Sequence, residues 1–233
     1  DGGTGSSPFS EMTGPRSTIL FDFDWTFQRG EVEGAQQPDF DDASWRVLDL
    51  PHDWSIEDIP GTESPLDSAA VGGIDMGYFR GGTGWYRKTF DLPSDLTGKR
   101  FTLQFDGIYM DSDVWVNGEH AGSHPYGYTS FWFDITDRLE HGKENVIAVR
   151  VRNEGRNSRW YSGSGIYRHV WLTVTEPVHL GTWGTGITTP VIGKDAASVM
   201  VTNEIQNHSG ENITLRVTTR IIDRHGKEIT KDR

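Results

Sequence analysis

The chain has 233 residues, of which 34% are hydrophobic and 12% aromatic, and this length can bury one large core or two modest ones. A formal net charge of −12 argues against nucleic acid as a partner, because phosphate binding needs clustered lysines and arginines. The absence of cysteine excludes a disulfide framework and a cysteine nucleophile, and since no long apolar run is present we predict no membrane span.

Residues 1–17 are predicted to form a flexible leader, because their first half consists mostly of glycine, serine and threonine. The chain does not begin with methionine, so this segment could be what remains after a signal peptide or after other trimming. The compartment is therefore left open, with an exported location favoured over the cytoplasm.

Strand signals recur at short spacing across residues 18–176, and no helical segment separates them. The strongest short turn signal is Asn117-Gly118, which is typical of a two-residue hairpin. Closely spaced strands without intervening helices indicate an all-β fold, specifically an antiparallel jelly-roll sandwich. The expected strands are 19–23, 45–50, 85–92, 100–105, 113–116, 119–122, 130–135, 145–151 and 167–174.

Glu176-Pro177 breaks this pattern, and residues 177–233 contain fewer aromatic residues and three strand signals. Three strands are too few for an independent sandwich, which needs about seven, so we expect a second, truncated sandwich domain. Residues 57–77 lack a strand signal, and a loop of that length inside a domain is usually functional or disordered.

The dipeptide Asn-Glu, at 153–154 and 203–204, occurs at the acid/base position of many retaining glycosidases. We predict that neither glutamate is catalytic, because that chemistry needs a second carboxylate about 5–5.5 Å away on a rigid scaffold. Nothing in the sequence supplies the eight βα units of a catalytic barrel. The eight histidines show no zinc-type spacing, so we expect no metal, no cofactor and no catalytic residue in this chain.

The stretch NSRWYSGSGIYRHVWL, at 157–172, places a cation and two aromatic rings on a glycine-rich loop just before an apolar strand. A second loop of similar character is LPHDWSI, in which Asp53 and Trp54 follow Pro51 at a strand end. Sugars expose C–H faces that pack on aromatic rings and hydroxyls that suit arginine and carboxylate groups. Aromatic residues at strand ends also serve as core lids or domain-interface anchors, and this alternative remains open for Trp160 and Tyr161.

Six segments of the chain carry a family resemblance when they are taken together: LFDFDWTFQRG (20–30), DFDDASWRVLDLPHDWSIED (39–58), GGTGWYRKTFDLP (81–93), FDGIYMDSDVWVNGEHAGSHPYGYTSFWFDIT (105–136), NVIAVRV (145–151) and SRWYSGSGIYRHVWL (158–172). They resemble the N-terminal sugar-binding domain of glycoside hydrolase family 2 β-galactosidases. The resemblance runs in order from about residue 18 to 176, and the segment after Glu176 resembles the start of the immunoglobulin-like domain that follows in that family.

The resemblance implies a galactose-binding-domain-like jelly roll whose loops reach over the rim of a (β/α)8 barrel and help to close the galactose pocket. The expected substrate-binding residues are Asp53, Trp54, Arg159, Trp160 and Tyr161. More distant members carry a sodium-binding aspartate near the position of Arg159. Because arginine stands there in this sequence, the ion is not expected.

The resulting hypothesis is a non-catalytic part of a family 2 β-galactosidase-like enzyme, inactive alone. In the full-length enzyme its partners would be a β-galactoside and the catalytic barrel in cis, with no nucleic acid partner; the oligomeric state is left open. The alternative is a self-contained carbohydrate-binding module, which would need its own platform of exposed aromatic residues.

Overall fold

The structure of the chain is a computed structural model that describes residues 9, 12, 14–156 and 162–232. Among these residues every strand pair is antiparallel, and the helical segments are short 3-10 turns. The predicted all-β antiparallel fold is therefore confirmed. No helix in the part of the chain that the structure describes has the length and apolar character of a membrane span. The chain divides into two units, Asp1–Thr175 and Glu176–Arg233.

The first unit contains a four-stranded sheet of order β1-β10-β5-β8 and a six-stranded sheet of order β3-β2-β4-β9-β6-β7. Sequence neighbours are often separated in these orders, as expected of a jelly roll rather than a meander. The strands are β1 Arg16–Leu20, β2 Trp25–Arg29, β3 Arg46–Leu48, β4 Gly82–Leu92, β5 Arg100–Phe105, β6 Ser112–Val116, β7 Glu119–His124, β8 Phe131–Asp134, β9 Lys143–Asn153 and β10 Val170–Thr175.

The main core lies between these two sheets and is filled by side chains that alternate along each strand. In β5 the three inward residues are fully buried, and the residues between them are half-buried. Because successive side chains of a strand point to opposite faces, Val116 enters this core while Trp115 packs on the outer face of the six-stranded sheet. Inward residues of the two sheets include Phe101, Leu103, Phe105, Leu172, Val114, Val116, Ile147, Val149 and Val151.

The expected flexible leader, residues 1–17, lies mostly outside the described residues, which include Phe9 and Arg16. Strand β1 already begins at Arg16, where it pairs with Thr175 of β10. Phe9 is buried in the main core, and its ring lies 6.2 Å from that of Phe90. Burial of a large aromatic side chain anchors this described residue, and the glycine and serine content around it gave no indication of that.

A second, smaller core covers the outer face of the six-stranded sheet, and a buried arginine holds the covering loop. Trp85 stacks on Trp115 in this cluster, with a centroid distance of 5.4 Å. Arg87 is only 2% exposed; its Nε donates to Asp42 at 2.9 Å, and its Nη1 donates to the carbonyls of Ala35 and Gln37 at 2.6 and 2.9 Å. A buried guanidinium with these partners ties the loop to β4.

The second unit consists of two hairpins, β11 Val178–Ile192 with β12 Ala197–Asn207, and β13 Thr219–Ile222 with β14 Glu228–Asp232. The three predicted strands of this unit are 178–189, 196–206 and 212–222. In the structure the third forms a strand only over its last residues, as β13. Two-stranded sheets cannot enclose a core, so many apolar side chains of this unit are exposed, among them Leu180, Trp183, Ile187, Val191, Ile192 and Met200. The expected partial sandwich is observed.

Replacing Arg87 by methionine should lower the free energy of unfolding by about 3 kcal/mol, because it leaves the buried carbonyls of Ala35 and Gln37 and the carboxylate of Asp42 without their donor. Urea unfolding followed by tryptophan fluorescence measures this loss. Lys143→Met removes an exposed ion pair with Glu140 and should change stability by less than about 1 kcal/mol. Equal stability of the two variants would show that Arg87 does not hold the loop.

Candidate functional site

The site is built around Asp53, which opens a one-turn 3-10 helix, Trp54–Ile56, directly after the turn at Pro51. Its Oδ1 accepts hydrogen bonds from the backbone N of Ser55 at 2.8 Å and from the Ser55 hydroxyl at 2.5 Å. A short acidic side chain at a helix N-cap satisfies backbone N–H groups that have no partner inside the turn. The aspartate thus shapes its own loop.

The same carboxylate also binds the glycine-rich segment 162–166. The Ser164 N–H donates to Asp53 Oδ1 at 2.7 Å, and the Trp54 N–H donates to the Ser164 carbonyl at 3.0 Å. The His52 N–H donates to the Ile166 carbonyl at 2.8 Å. The described end of this loop therefore lies beside the Asp53 loop. Arg159, Trp160 and Tyr161 lie outside the described residues, so their contact with a sugar stays a prediction.

Gly165 makes this close approach possible. Its φ of +133° is unfavourable for other residues, and a Cβ there would overlap the Tyr86 hydroxyl and lie 2.6 Å from the His52 carbonyl oxygen. Its backbone exchanges two hydrogen bonds with Tyr109, at 2.8 and 2.9 Å. One glycine therefore joins the segment to two neighbouring parts of the sandwich.

Asn153, at the end of β9, fixes the same segment from the other side, a role that the sequence analysis did not assign to it. Its buried side-chain amide lies within hydrogen-bonding distance of the Ser162 and Gly163 carbonyls and of the Ser164 hydroxyl, at 3.2, 3.0 and 2.8 Å. An asparagine that ends a strand shortly before a glycine-rich loop is the signal that could have revealed this role.

Trp54 and Asp53 are both buried within this chain, with exposed fractions of 1% and 9%. The Trp54 ring stacks on Phe27 at a centroid distance of 5.6 Å and covers Gly84, where a Cβ would lie 2.7 Å from it. Within this chain Trp54 therefore packs against the core, which is the alternative role of aromatic residues at strand ends. Contact of Asp53 or Trp54 with a sugar stays a prediction.

A network of polar side chains flanks Trp54 and was not anticipated from the sequence. His52 Nε2 lies 2.9 Å from Glu57 Oε1, and His52 Nδ1 lies 2.7 Å from the Tyr86 hydroxyl. Burial lowers the pKa of His52, and the hydrogen bond to Glu57 offsets part of this effect. Burial alone would raise the pKa of Glu57, but hydrogen bonds from Arg46 and His52 outweigh it and lower that pKa. These directions fit a neutral imidazole beside an ionised carboxylate.

Two cavities adjoin these loops. One, of about 460 Å³, lies between the segment 67–82 and the end of β9, and includes Asn153 and Glu154 in its lining. The other, of about 660 Å³, is bordered by Trp54 and Glu57. The long stretch 57–77 is ordered here: it contains the 3-10 turn Gly73–Met76 and an isolated bridge between Leu66 and Phe79.

Glu154, one of the two Asn-Glu glutamates, lies just past the end of β9 and is exposed. The Thr83 hydroxyl is 3.2 Å from its carboxylate and 2.9 Å from that of Glu31, which is also exposed. Two exposed carboxylates around one threonine lack the enclosed, water-excluding site in which such groups act as acid and nucleophile. In the residues that the structure describes, no cluster of three or more acidic or histidine side chains could hold a metal ion.

The comparisons with known proteins agree with this architecture. Residues 71–177 match the family described as glycosyl hydrolases family 2, sugar binding domain. The β-galactosidase BoGH2A of Bacteroides ovatus is 44% identical over 98% of this chain, and a putative β-glucuronidase of Formosa agariphila is 39% identical over 90%. The crystal structure of a glycosyl hydrolase family 2 member from Bacteroides cellulosilyticus is 47% identical, with a TM-score of 0.82 over 92% of this chain.

The chain therefore belongs to glycosyl hydrolase family 2 and carries its non-catalytic sugar-binding domain. It spans 26% of the Bacteroides ovatus protein, 19% of the Formosa agariphila protein and 28% of the Bacteroides cellulosilyticus chain.

Asp53→Ala should expose the Ser164 amide to hydrogen exchange, because it removes the acceptor that holds this N–H. Loss of hydrogen bonds to a charged group is worth about 1.5–3 kcal/mol, so protection of Ser164 should fall by roughly ten- to a hundredfold. Exchange measured by NMR gives the value directly. Asp49→Ala is the matched control, because Asp49 accepts from the Asp24 N–H at 2.9 Å elsewhere on the surface. Unchanged Ser164 protection in Asp53→Ala would contradict the structure.

Stability should fall as the pH drops below about 6.5, because the lowered pKa of His52 favours the neutral imidazole in the folded state. Above that pH the His52 imidazole is neutral in both the folded and the unfolded protein, so its contribution to stability is fully present. This contribution is lost as the pH falls from the pKa of the unfolded state towards the lower pKa of the folded state. His52→Gln should therefore show a smaller loss of melting temperature between about pH 7.5 and pH 5.5. The lowered pKa of Glu57 affects stability only at lower pH, below about 4.5, where the carboxyl group of the unfolded chain becomes protonated. Identical pH profiles would rule out the role assigned to His52.

Proposed function

We propose that this chain acts as the sugar-binding and scaffolding part of a larger family 2 glycosidase. It supports the catalytic (β/α)8 barrel in cis and contributes loops to the rim of that barrel's substrate pocket. The observation that carries the proposal is the double attachment of segment 162–166, to Asp53 on one side and to Tyr109 on the other. A sandwich that fixes a loop so firmly can present the residues that precede it at a defined position.

The residues proposed to form the rim around the sugar are Asp53, Trp54, Arg159, Trp160 and Tyr161. Arginine can donate paired hydrogen bonds to sugar oxygens, and aromatic rings can pack on sugar C–H faces. Asp53 already accepts hydrogen bonds from the Ser164 and Ser55 N–H groups. It therefore fixes the conformation of the loop in addition to lying at the rim. Trp54 supports the rim from below through Phe27 and Gly84.

The proposed substrate class is a β-galactoside. Support comes from the β-galactosidase of Bacteroides ovatus, whose 44% identity over nearly the whole chain exceeds the 39% identity of the putative β-glucuronidase of Formosa agariphila. The second candidate is a β-glucuronide, favoured by that second relative. A self-contained carbohydrate-binding module is the remaining alternative; it requires an exposed aromatic platform, whereas Trp54 is buried.

In a full-length enzyme that carries this chain, Arg159→Ala should lower kcat/KM for p-nitrophenyl β-D-galactoside by about 1.5–3 kcal/mol, the size of a lost charged hydrogen bond. The melting temperature should change little. The matched control is Arg156→Ala, because Arg156 is 70% exposed and lies 3.8 Å from Asp75.

Turnover of p-nitrophenyl β-D-glucuronide, measured in parallel, decides between the two sugars. A larger kcat/KM for the glucuronide would replace the galactoside proposal. Equal effects of Arg156→Ala and Arg159→Ala would show that only the general charge of the loop matters. Binding of neutral galactosides by the isolated 233-residue chain with a Kd well below about 1 mM would favour the self-contained module instead.

A further inference from the structure

Two arginines, Arg29 and Arg80, line both cavities beside the site and therefore form the wall between them. Arg29 ends β2, and Arg80 lies two residues before β4 begins. The pairing of β2 with β4, in which Arg29 stands opposite Gly84, brings the two arginines together. Neither residue was singled out in the sequence, and neither has a role in the function proposed above.

These two guanidinium groups lack the carboxylate partners that several other arginines of the unit have. Arg46, Arg87 and Arg150 each lie within 3 Å of an acidic side chain. Arg29 donates to the Gly81 carbonyl at 2.9 Å, and among the described residues neither Arg29 nor Arg80 forms an ion pair within 4 Å. The Nε of Arg80 is buried and has no hydrogen-bond partner in the described part of the chain. A buried donor without an acceptor indicates a missing ligand or water.

The electrostatics of the pair point to an anion. Burial lowers the pKa of Arg29, and the positive charge of Arg80 lowers it further, while Glu57 and Asp67 offset part of the effect from longer range. A negative group placed between the two guanidinium groups would relieve their repulsion and accept several charge-assisted hydrogen bonds at once. Planar arginine forks match the geometry of carboxylate and sulfate oxygens.

The remaining lining of the smaller cavity suits a hydroxylated molecule. Asp67 and Glu154 supply carboxylate groups that can bind hydroxyls, and Met76 with Ala69 supplies apolar surface. A volume of about 460 Å³ lies within the usual range of small-molecule sites. One anionic group surrounded by several hydroxyls is the chemistry of an acidic sugar.

We propose that Arg29 and Arg80 bind the anionic group of an acidic saccharide, either the carboxylate of a uronic acid or a sulfate ester, in the cavity that they line. Both sources offer a planar or tetrahedral set of oxygens to the two guanidinium groups, and the sugar hydroxyls face Asp67 and Glu154. This inference concerns binding by the chain itself and does not depend on the galactoside turnover proposed above.

The test is calorimetric or NMR titration of the 233-residue chain with three probes: methyl β-D-glucuronide, methyl β-D-galactoside 6-sulfate and neutral methyl β-D-galactoside. At least one anionic probe should bind about tenfold more tightly than the neutral one, as expected for paired charge-assisted hydrogen bonds. The anionic probe that binds more tightly identifies the source. Arg80→Met should reduce the preference to less than about threefold, and Arg80→Lys, which keeps the charge without the fork, should retain part of it.

Arg220→Met is the matched control, because Arg220 is exposed on β13 in the other unit and should leave the preference intact. Equal affinity for charged and neutral probes, or a preference that survives Arg80→Met, would overturn the proposal. So would the absence of binding by both anionic probes at about 50 mM. If sodium acetate or sodium sulfate binds as tightly as the saccharides, the site recognises only the anionic group and not the sugar. That result would also overturn the proposal.

Discussion

The buried carboxylate of Asp53 is the interaction on which the candidate site depends. It accepts hydrogen bonds from Ser55 within its own loop and from Ser164, which is 111 residues away in the sequence. A carboxylate removed from water is costly unless such donors surround it, so the two loops cannot separate without exposing or stranding this charge. Two backbone hydrogen bonds, to Ser164 and Ile166, extend the contact. The result is a rigid junction at one rim of a sandwich.

This junction explains several residues that otherwise look unrelated. Gly165 is required because the Tyr86 hydroxyl and the His52 carbonyl occupy the space of a side chain. Asn153 satisfies carbonyls of the same loop that would otherwise be buried without a donor. Trp54 fills the volume beneath the junction, against Phe27. A family 2 sugar-binding domain thus uses its core to fix the position of a surface loop, which is the property that a substrate rim needs.

The sequence predicted the all-β fold, because alternation, turn residues and glycine content are local signals. It missed β2 at Trp25–Arg29, since five residues are a short window in which to recognise the alternation of a strand. It did not predict that Trp54 packs on Phe27, because a local motif does not show which side of a loop faces the core. The sequence could not show that Arg29 and Arg80 lie together, because they are 51 positions apart and meet only through the pairing of β2 with β4.

A hydrogen-bond scalar coupling measured by NMR between the Ser164 amide nitrogen and the Asp53 side-chain carboxyl carbon tests the central claim most directly. The account predicts a detectable coupling, because the Ser164 N–H donates to Asp53 Oδ1 at 2.7 Å. It also predicts that the Ser164 amide exchanges slowly with solvent, as expected for a buried N–H with a charged acceptor. A Ser164 amide that shows no coupling and exchanges as freely as an exposed loop would contradict the junction.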